Sequence, residues 1–483
     1  MQSTNMRIQL GAAASDMPLP IRQRSGRAAD RLSEDRRILA RERAITYLVN
    51  QRQEERRAAD GRCVGIQSHL ATSPTGENAI DLYQIIDGMV VHPGAYEEVH
   101  CDDPTRALWQ DIANWVQDRL GFPLEPELFS NMLHVAHAGL IDHPHVQRIC
   151  RALLPTFGRS DAHGLYHFFT SLRFAGDIDC TAVAARARIV AGDFDLQTER
   201  GANDLRRITD RILRSASVCD VPAHENESHG KNNGPLRRHV FKVYLDDHEI
   251  HGAEYDRGLK INPVVVANGL FPVLYELTVG ARDPHEVVPL KEFAPGSETA
   301  RTGRATVAQI VAANVSHLTG FLLSGQWREG CRYYPSPDAF LCFYSELVRE
   351  YPEVADMFGL RAELADAIDE RRSARQSGVT DPHGTINLAL RAIAAQNLGE
   401  DATPELTRLI DTQEPEGGWT SFSALYCLGT RSAPRVYFGS PAQTAGFAAR
   451  ALTPSVRRLT PEDPTKRHMW SDAVVKHLVS TIV

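Results

Sequence analysis

Two aspartates, Asp177 and Asp179, stand two residues apart in the run 177–182, Asp-Ile-Asp-Cys-Thr-Ala. On an extended or turning segment, side chains at i and i+2 can converge on one face. Burial raises the pKa of a carboxyl, and so does a second carboxyl nearby, because two adjacent negative charges repel each other. A buried pair can therefore keep a proton near neutral pH, whereas an ordinary Asp, with a pKa of about 3.9, has lost it.

This pair predicts a general acid, Asp179, that protonates a substrate inside a dry cavity. In this hypothesis Cys180 donates a weak S–H hydrogen bond toward Asp179, and the Thr181 hydroxyl caps the backbone of the next helix. The alternative interpretation is a plain helix N-terminus whose acidic side chains satisfy free amide groups and the helix dipole.

Aromatic side chains occur just before the acid pair and at several later turns. Their faces can stabilise a carbocation by roughly 0.5–2 kcal/mol each when desolvated, without offering a nucleophile. Core packing is the ordinary role of any single ring, but we expect some members of the set to line the cavity beside the acid. The candidates are Tyr166, Phe168, Phe169, Trp327, Tyr333, Tyr334, Trp419, Phe422 and Tyr437.

Basic side chains could hold a diphosphate. Arg257 and Lys260 precede a predicted helix start, and Arg328 and Arg332 flank a glycine. A helix start with nearby cations suits a phosphate group, although solvated surface charge is the alternative. The sequence has no DDxxD run, so it predicts no metal site for ionising a diphosphate; Mg²⁺ could still accompany a bound diphosphate.

The elements that must position these residues are mostly helical. Apolar residues recur at three- and four-residue spacing, and Val240–Tyr244 is the best strand signal. Many helices of about 10–18 residues with short loops are typical of a solenoid or an α/α-barrel. The predicted helices include 105–120, 128–140, 144–154, 180–191, 203–215, 264–278, 306–323, 337–349, 360–374, 384–397, 404–411, 441–452 and 470–482.

Composition sets the organisation and excludes several function classes. Residues 1–38 are polar and Arg-rich and predict a disordered tail, while 39–483 predict one helical domain with loop excursions near 220–239 and 279–304. The net charge of −8, from 53 Lys+Arg and 61 Asp+Glu, gives no basic excess for nucleic acid. The eight Cys form no CxxC pair, and no stretch predicts a membrane span or a signal peptide, so we expect a cytoplasmic protein.

A turn near the C-terminus gives the first indication of a particular barrel. The segment Gln413–Trp419 contains Gly417 and Gly418, which permit a tight turn after a helix, and Pro441 suits the first turn of the next helix. This segment resembles the QW motif of squalene-hopene and oxidosqualene cyclases, and residues 177–182 resemble the DxDDTA motif of class II terpene cyclases. Cys180 replaces the fourth-position Asp, as in the Asp-Cys-Thr-Ala of oxidosqualene cyclases.

The segments Tyr333–Pro337 and Asn262–Asn268 are also similar to segments of bacterial class II cyclases, which adds Asn268 to the candidate substrate-binding residues. The resemblance implies an all-α fold, an (α/α)-barrel of the terpene cyclase β-domain type. The acid motif comes early in the chain, which leaves no room for a second domain and best matches the single-barrel drimenyl diphosphate synthase type.

The resemblance further implies protonation-initiated cyclisation of an isoprenoid diphosphate, with farnesyl diphosphate expected and the diphosphate retained. Protonation requires no cofactor, and a homodimer is compatible with such a barrel. Two alternatives stay open: a non-catalytic barrel that binds a lipid or a partner protein, and a zinc-dependent protein prenyltransferase. The latter needs Asp-x-Cys, whereas Asp179 and Cys180 are adjacent.

Overall fold

A computed structural model gives the architecture. The residues that it describes are 33–58, 69–71, 80–81, 114, 127–157, 164–168, 176–196, 198–219, 238–245, 260–293, 299–374, 381, 383–419, 424–428, 436–461 and 470–482. The helices are α1 (Glu34–Ala58), α2 (Phe129–Ala138), α3 (Pro144–Leu153), α4 (Ile178–Ala191), α5 (Glu199–Arg214), α6 (Pro263–Thr278), α7 (Val307–Leu323), α8 (Pro337–Glu350), α9 (Pro352–Phe358), α10 (Leu360–Ser373), α11 (Thr385–Leu398), α12 (Thr403–Asp411), α13 (Pro441–Leu452) and α14 (Ser471–Ile482). The strands are β1 (His69–Ala71), β2 (Ile80–Asp81), β3 (Val287–Phe293), β4 (Ala300–Thr306), β5 (Tyr426–Leu428) and β6 (Val436–Gly439).

Six helices of the described part of the chain form a closed inner ring. Helix α2 packs on α4, α4 on α6, α6 on α8, α8 on α11, α11 on α13, and α13 returns to α2. Helices α1, α3, α5, α7, α10 and α12 pack outside this ring. Two concentric layers of alternating helices form an (α/α)-barrel, which confirms the predicted fold class.

Sequence composition separates the two layers. The inner helices α4 and α13 are rich in Ala. Both are buried on nearly every side, and so is the inner helix α8. A helix that is apolar all round must lie inside, whereas one apolar stripe suffices for an outer helix. The outer helix α5 has such a stripe, in which Leu205, Ile208 and Ile212 are buried.

The starts of the inner helices are strongly specified. Asn262, Ser336 and Ser440 cap α6, α8 and α13 with side-chain oxygens, and each is followed by a proline in the first turn. Such caps satisfy amide groups that have no partner inside the helix, and proline has no N–H to satisfy. Local sequence therefore determines where these inner helices start, and the loops and the candidate residues lie at that end of the barrel.

Side-chain hydrogen bonds of the turn 413–419 join the outer helix α12 to the outer helix α1. The Gln413 amide donates to the carbonyls of Ala40 on α1 and Gly417, and Gly417 has a φ of 93°. The Trp419 indole N–H donates to the Leu409 carbonyl at 3.0 Å, over the end of α12. The predicted tight turn is confirmed, and its tryptophan stabilises the barrel closure.

Three boundaries differ from the sequence-based expectation. Helix α1 begins at Glu34, inside the tail predicted for 1–38, because the Ser33 hydroxyl accepts the Arg36 N–H and acidic residues suit a first turn. The stretch 279–304, predicted as a loop excursion, contains the antiparallel hairpin β3–β4. Val240–Tyr244 forms isolated bridges to Ala216 and Asp177 rather than a strand. Residues 1–32 and 220–237 and nearly all of 105–120 lie outside the described residues.

A small antiparallel sheet, in the order β2-β1-β6-β5, accompanies the barrel. Strands β5 and β6 pair Tyr426 with Phe438 and lead directly into α13. No helix among the described residues is long and apolar enough to cross a membrane.

Candidate active site

The acid pair lies where α4 begins. Asp177 is the N-cap, with extended backbone, and its carboxylate accepts the Cys180 N–H at 2.7 Å. Its own backbone is held between two segments, because the Asp177 N–H donates to Tyr166 and the Ile178 N–H donates to Val243. These contacts fix the first turn of α4, so that Asp179 projects from a rigid position.

Asp179 is buried and hydrogen-bonded on both carboxyl oxygens. The Asn268 amide of α6 donates to Oδ1 at 2.8 Å, and the Tyr334 hydroxyl, just before α8, donates to Oδ2 at 2.6 Å. Burial raises the pKa of Asp179 to about 7 and the nearby Asp177 adds to this, although the two hydrogen bonds oppose the rise. A substantial fraction of Asp179 therefore carries a proton at neutral pH.

Asp177 differs from Asp179 in its contacts. Burial raises the pKa of Asp177 to about 6, and hydrogen bonds from the N–H and thiol of Cys180 limit the rise. Burial also raises the pKa of the Cys180 thiol well above its usual range, so the thiol keeps its proton and can donate it. The sequence predicts that this thiol donates toward Asp179, but the carboxyl whose pKa the thiol lowers by hydrogen bonding is Asp177, the N-cap of the helix.

Thr181 has a structural position rather than the predicted capping role. Its hydroxyl donates to the Asp177 carbonyl at 2.6 Å and accepts the Tyr166 N–H at 3.0 Å. It sits in the first turn of α4, four residues after the actual cap, so it ties the preceding segment to the helix that carries the acid.

The carboxyl pair lines a mostly apolar cavity. Aromatic rings make up much of its wall: the Phe129 and Phe168 rings contact the Tyr426 ring edge-on at 5.1 and 5.7 Å between centroids. The lining residues are Phe129, Phe168, Asp177, Asp179, Cys180, Val243, Tyr244, Val265, Tyr333, Tyr334, Tyr426, Cys427 and Leu428. The structure thus joins an acid with raised pKa to an aromatic, water-poor wall.

The other predicted substrate-binding residues occupy different places. Trp327 and Trp419 are buried but do not line the cavity, because one lies in the short 3₁₀ helix after α7 and the other packs over α12. The Tyr166 hydroxyl accepts from Arg188, and Tyr437 pairs with Cys427 in the small sheet. Phe169 and Phe422 lie outside the described residues.

The four predicted diphosphate-binding residues also separate. Arg328 is half-exposed and pairs with Glu370 on the outer helix α10, away from the cavity lining. The Lys260 ammonium lies 5.6 Å from the centroid of the Tyr244 ring, and the Arg332 guanidinium 5.5 Å from that of Tyr333. Both rings line the cavity, so these two cations border it. Arg257 lies outside the described residues.

The helix start at Asn262 does not provide the open phosphate site that the sequence suggests. Its own side-chain oxygen accepts the N–H groups of Val264 and Val265, which occupies the donors that a phosphate would need. In the described part of the chain, no group of three or more His, Cys, Asp or Glu side chains could hold a metal ion.

Sequence reasoning missed several residues of the cavity wall. Tyr426 is central, since its ring stacks on Phe438 and its hydroxyl bonds with Ser130 at 2.8 Å. Phe129 and Tyr244 also belong to the wall. Phe129 lies at the start of a predicted helix and Tyr244 at the end of the predicted strand, which does not distinguish a wall residue from ordinary core, and Tyr426 lies near no predicted element.

The chain was compared with known proteins. No protein-family model matches it. Among curated proteins it is 29% identical over 169 residues to drimenol cyclase drtB from Aspergillus calidoustus, across 31% of this chain and 30% of that protein. The chain thus matches less than a third of the length of this relative.

Solved structures with a related shape include the type II terpene cyclase MstE from Scytonema, which is 10% identical, with 87% of this chain and 98% of that chain covered and a TM-score of 0.44. A variant of MstE in complex with its substrate, geranylgeranyl dihydroxybenzoate, is 11% identical, with 87% and 97% covered and a TM-score of 0.46. A protein from Actinoplanes is 14% identical, with 68% and 90% covered and a TM-score of 0.42.

Proposed function

We propose that this chain is a class II terpene cyclase in which Asp179 protonates a linear prenyl diphosphate, with farnesyl diphosphate as the expected substrate and the diphosphate retained. The observation that carries the proposal is the buried Asp179 carboxyl, whose pKa is raised to about 7, at the wall of an aromatic cavity. The segment similar to drimenol cyclase supports the same reaction class.

The two partners of Asp179 direct its proton. An amide nitrogen can only donate, so Asn268 always occupies one side of Oδ1, and the Tyr334 hydroxyl, which burial keeps protonated, donates to Oδ2. The proton of the carboxyl therefore occupies a direction that neither partner uses. The cavity side is such a direction, and it is where an alkene would lie.

The proposed reaction is an isomerisation that needs no co-reactant. The π electrons of the terminal alkene take the proton of Asp179, which leaves a carbocation on carbon and a carboxylate on Asp179. Further alkenes of the same chain attack the cation and form rings. A proton leaves a neighbouring carbon for solvent water, which ends the sequence, and Asp179 regains a proton from solvent. The rings of Phe129, Phe168 and Tyr426 present faces and edges that exclude nucleophiles and can stabilise the passing charge.

Lys260 and Arg332 are the proposed anchors of the intact diphosphate. Each stacks on a tyrosine of the cavity wall, so each holds its positive charge at the border between the apolar cavity and its surroundings. Charge-assisted hydrogen bonds from such cations bind phosphate oxygens strongly. Mg²⁺ could accompany the diphosphate, whereas the protonation step requires no cofactor.

A C15 chain is the proposed length because the acid motif and its early position in the chain resemble those of single-barrel cyclases of the drimenyl diphosphate synthase type. The direct test is incubation with C10, C15 and C20 diphosphates, followed by phosphatase treatment and mass spectrometry. A cyclic alcohol that appears only after phosphatase treatment supports the proposal; inorganic diphosphate released together with a hydrocarbon contradicts it.

The alternative function is a barrel that binds a prenyl group without turning it over, or a zinc-dependent prenyltransferase. Cys180 in place of a motif aspartate is the observation that favours the first form, because one of the expected acidic groups is missing. Binding of a C15 diphosphate without turnover would support the first form. Stoichiometric zinc by elemental analysis, with transfer of a prenyl group to a peptide, would support the second.

A further inference from the structure

Three consecutive valines lie in the first turn of α6, and one of them belongs to the cavity wall. Val264, Val265 and Val266 are all almost completely buried, but of the three only Val265 lines the cavity. Neighbouring residues on a helix point about 100° apart around its axis, so one valine can face the cavity while the next does not. Val265 and Val266 are therefore a matched pair that differs in what the side chain faces.

Val265 lies beside the acid. Asn268, which donates to Asp179 at 2.8 Å, follows Val265 by three residues on α6. Residues three apart lie on one face of a helix, with their Cβ atoms roughly 5–6 Å apart. Asp179 and Val265 both line the cavity. An alkene that contacts the acid is therefore within reach of the Val265 methyl groups.

The start of α6 also leads to one of the proposed diphosphate anchors. Lys260 lies just before Asn262, the cap of α6, and its ammonium lies 5.6 Å from the centroid of the Tyr244 ring, which lines the cavity. The order along the chain is thus anchor, wall valine and, about 4.5 Å further along the helix axis, the donor to the acid. A prenyl chain that is held at Lys260 and protonated by Asp179 passes Val265.

The two sides of the acid differ in chemistry. Helix α4 packs between α2 and α6. Helix α2 contributes Phe129, whose ring contacts that of Tyr426, whereas α6 contributes the aliphatic Val265. An aliphatic side chain presents no π face to a cation, so it acts on the substrate through its volume.

We infer that Val265 is a specificity-determining residue, whose volume limits how many isoprene units fit between the diphosphate and the alkene that Asp179 protonates. Replacing Val265 by phenylalanine adds nearly the carbon content of one isoprene unit to the wall beside the acid. A longer prenyl chain then loses its place there, whereas a chain that is one unit shorter keeps it. This inference deepens the proposed function and rests on it.

The first test of Val265→Phe needs no substrate and has Val266→Phe as its matched control. The added ring can enter the cavity in Val265→Phe, whereas in Val266→Phe it has to enter the packed core, and overpacking destabilises a core. Denaturant unfolding compares the two variants. We expect Val265→Phe to keep a midpoint close to that of the unmodified protein and Val266→Phe to have a lower one. Equal losses in both, or failure of Val265→Phe to fold, would overturn the inference.

The second test measures binding of C10 and C15 diphosphates by calorimetry in the Asp179→Asn background, so that no turnover interferes. We expect Val265→Phe to raise the C10-to-C15 affinity ratio roughly tenfold. Val265→Ala, which enlarges the cavity, should move the ratio in the opposite direction. Val266→Ala removes the same volume away from the cavity and should leave the ratio unchanged.

The outcomes separate the inference from the proposed function. An unchanged ratio in Val265→Phe would overturn the inference, whether or not the unmodified protein cyclises its substrate. A shifted ratio in a protein whose unmodified form turns over no diphosphate would keep Val265 as the selective wall residue and reject the proposed reaction.

Discussion

Buried carboxyl groups lie at two depths in the barrel, and their pKa values are shifted in opposite directions. At the upper level, Asp179 has another carboxyl, Asp177, beside it and only neutral hydrogen-bond donors on its oxygens, and burial raises its pKa to about 7. Two turns deeper, burial also acts to raise the pKa of Glu346, but Arg186 and Arg450 outweigh it and hold that pKa well below its usual range.

The comparison shows that burial alone does not make an acid catalyst. Both groups are buried, and what separates them is the charge of their neighbours. Arg186 and Arg450 favour the ionised form of Glu346, which joins three inner helices through them, whereas Asp179 can exchange a proton near neutral pH. The same barrel thus holds a structural carboxylate and a candidate general acid within about 10 Å.

Asp179→Asn should give the largest effect of all. The amide keeps the size of the side chain but has no acidic proton, so we expect turnover to fall by about a thousandfold or more, in line with the loss of a general acid. Asp177→Asn should be slowed but active, because Asp177 only changes the environment of the acid. Product formation is followed by mass spectrometry, and circular dichroism checks the fold. Equal loss in both variants would mean that the two carboxyls do not have separate roles.

Glu346→Gln should affect stability rather than chemistry. It leaves Arg186 and Arg450 buried without a counter-charge, and breaking a buried ion pair from one side costs about 3–5 kcal/mol in the free energy of unfolding. Glu370→Gln, which removes the partner of the exposed Arg328, is the matched control and should cost less than about 1 kcal/mol. Denaturant unfolding measures both, and similar losses would contradict the structural role of Glu346.

Tyr334→Phe should shift the pH dependence of turnover. Asp179 acts in its protonated form, so activity should be present below its pKa and lost as pH rises through about 7. The Tyr334 hydrogen bond lowers that pKa by favouring the carboxylate, and its removal should move the alkaline limb to higher pH. Rates measured between about pH 6 and about pH 9 test this; a limb that stays in place or moves to lower pH would contradict it.

Asp179 and Glu346 should contribute to the free energy of unfolding with opposite pH dependence. The pKa of Asp179 is raised on folding, so its contribution is complete below the unfolded pKa of about 3.9 and is lost as pH rises through about 7. The pKa of Glu346 is lowered, so its contribution is present above the unfolded value and lost on acidification. The free energy of unfolding of Asp179→Asn and of Glu346→Gln, each compared with that of the unmodified protein from acidic to neutral pH, should show the two opposite trends.

Cys180→Ser should produce the smallest change. The thiol donates to Asp177, and a hydroxyl preserves that donor, so turnover should stay within about threefold. Cys180→Ala removes the donor and should lower stability more than Cys180→Ser does. If the serine variant is as impaired as Asp179→Asn, the thiol has a direct role in the reaction that its contact with Asp177 does not explain.

The sequence predicted the helices well because their signals are local. Caps at Asn262, Ser336 and Ser440, each followed by proline, determine where inner helices begin, and the observed starts lie within a few residues of the predicted ones. The hairpin β3–β4 was missed because β4 has little apolar alternation, with Ala305 as the one buried residue of its seven. Pairing with a partner strand stabilises it, and that is not visible in a short window.

The site was predictable only in part, for a related reason. Asp177 and Asp179 are close in sequence, so their spacing suggested a shared environment. Asn268 and Tyr334 were named only as wall residues, and their hydrogen bonds to Asp179 depend on how three inner helices meet. Glu346 and its arginines gave no signal at all, since each lies alone on a different helix.

The most direct test of the central claim is the reaction in D₂O. A proton delivered by Asp179 exchanges with solvent, so cyclisation of a C15 diphosphate should place one deuteron on carbon while the diphosphate remains attached. Mass spectrometry of the intact product, with phosphorus NMR for the diphosphate, measures both features at once. The account predicts a cyclic diphosphate in which one deuterium replaces one hydrogen on carbon, and no such product with Asp179→Asn. A product without deuterium, or one formed with release of inorganic diphosphate, would contradict it.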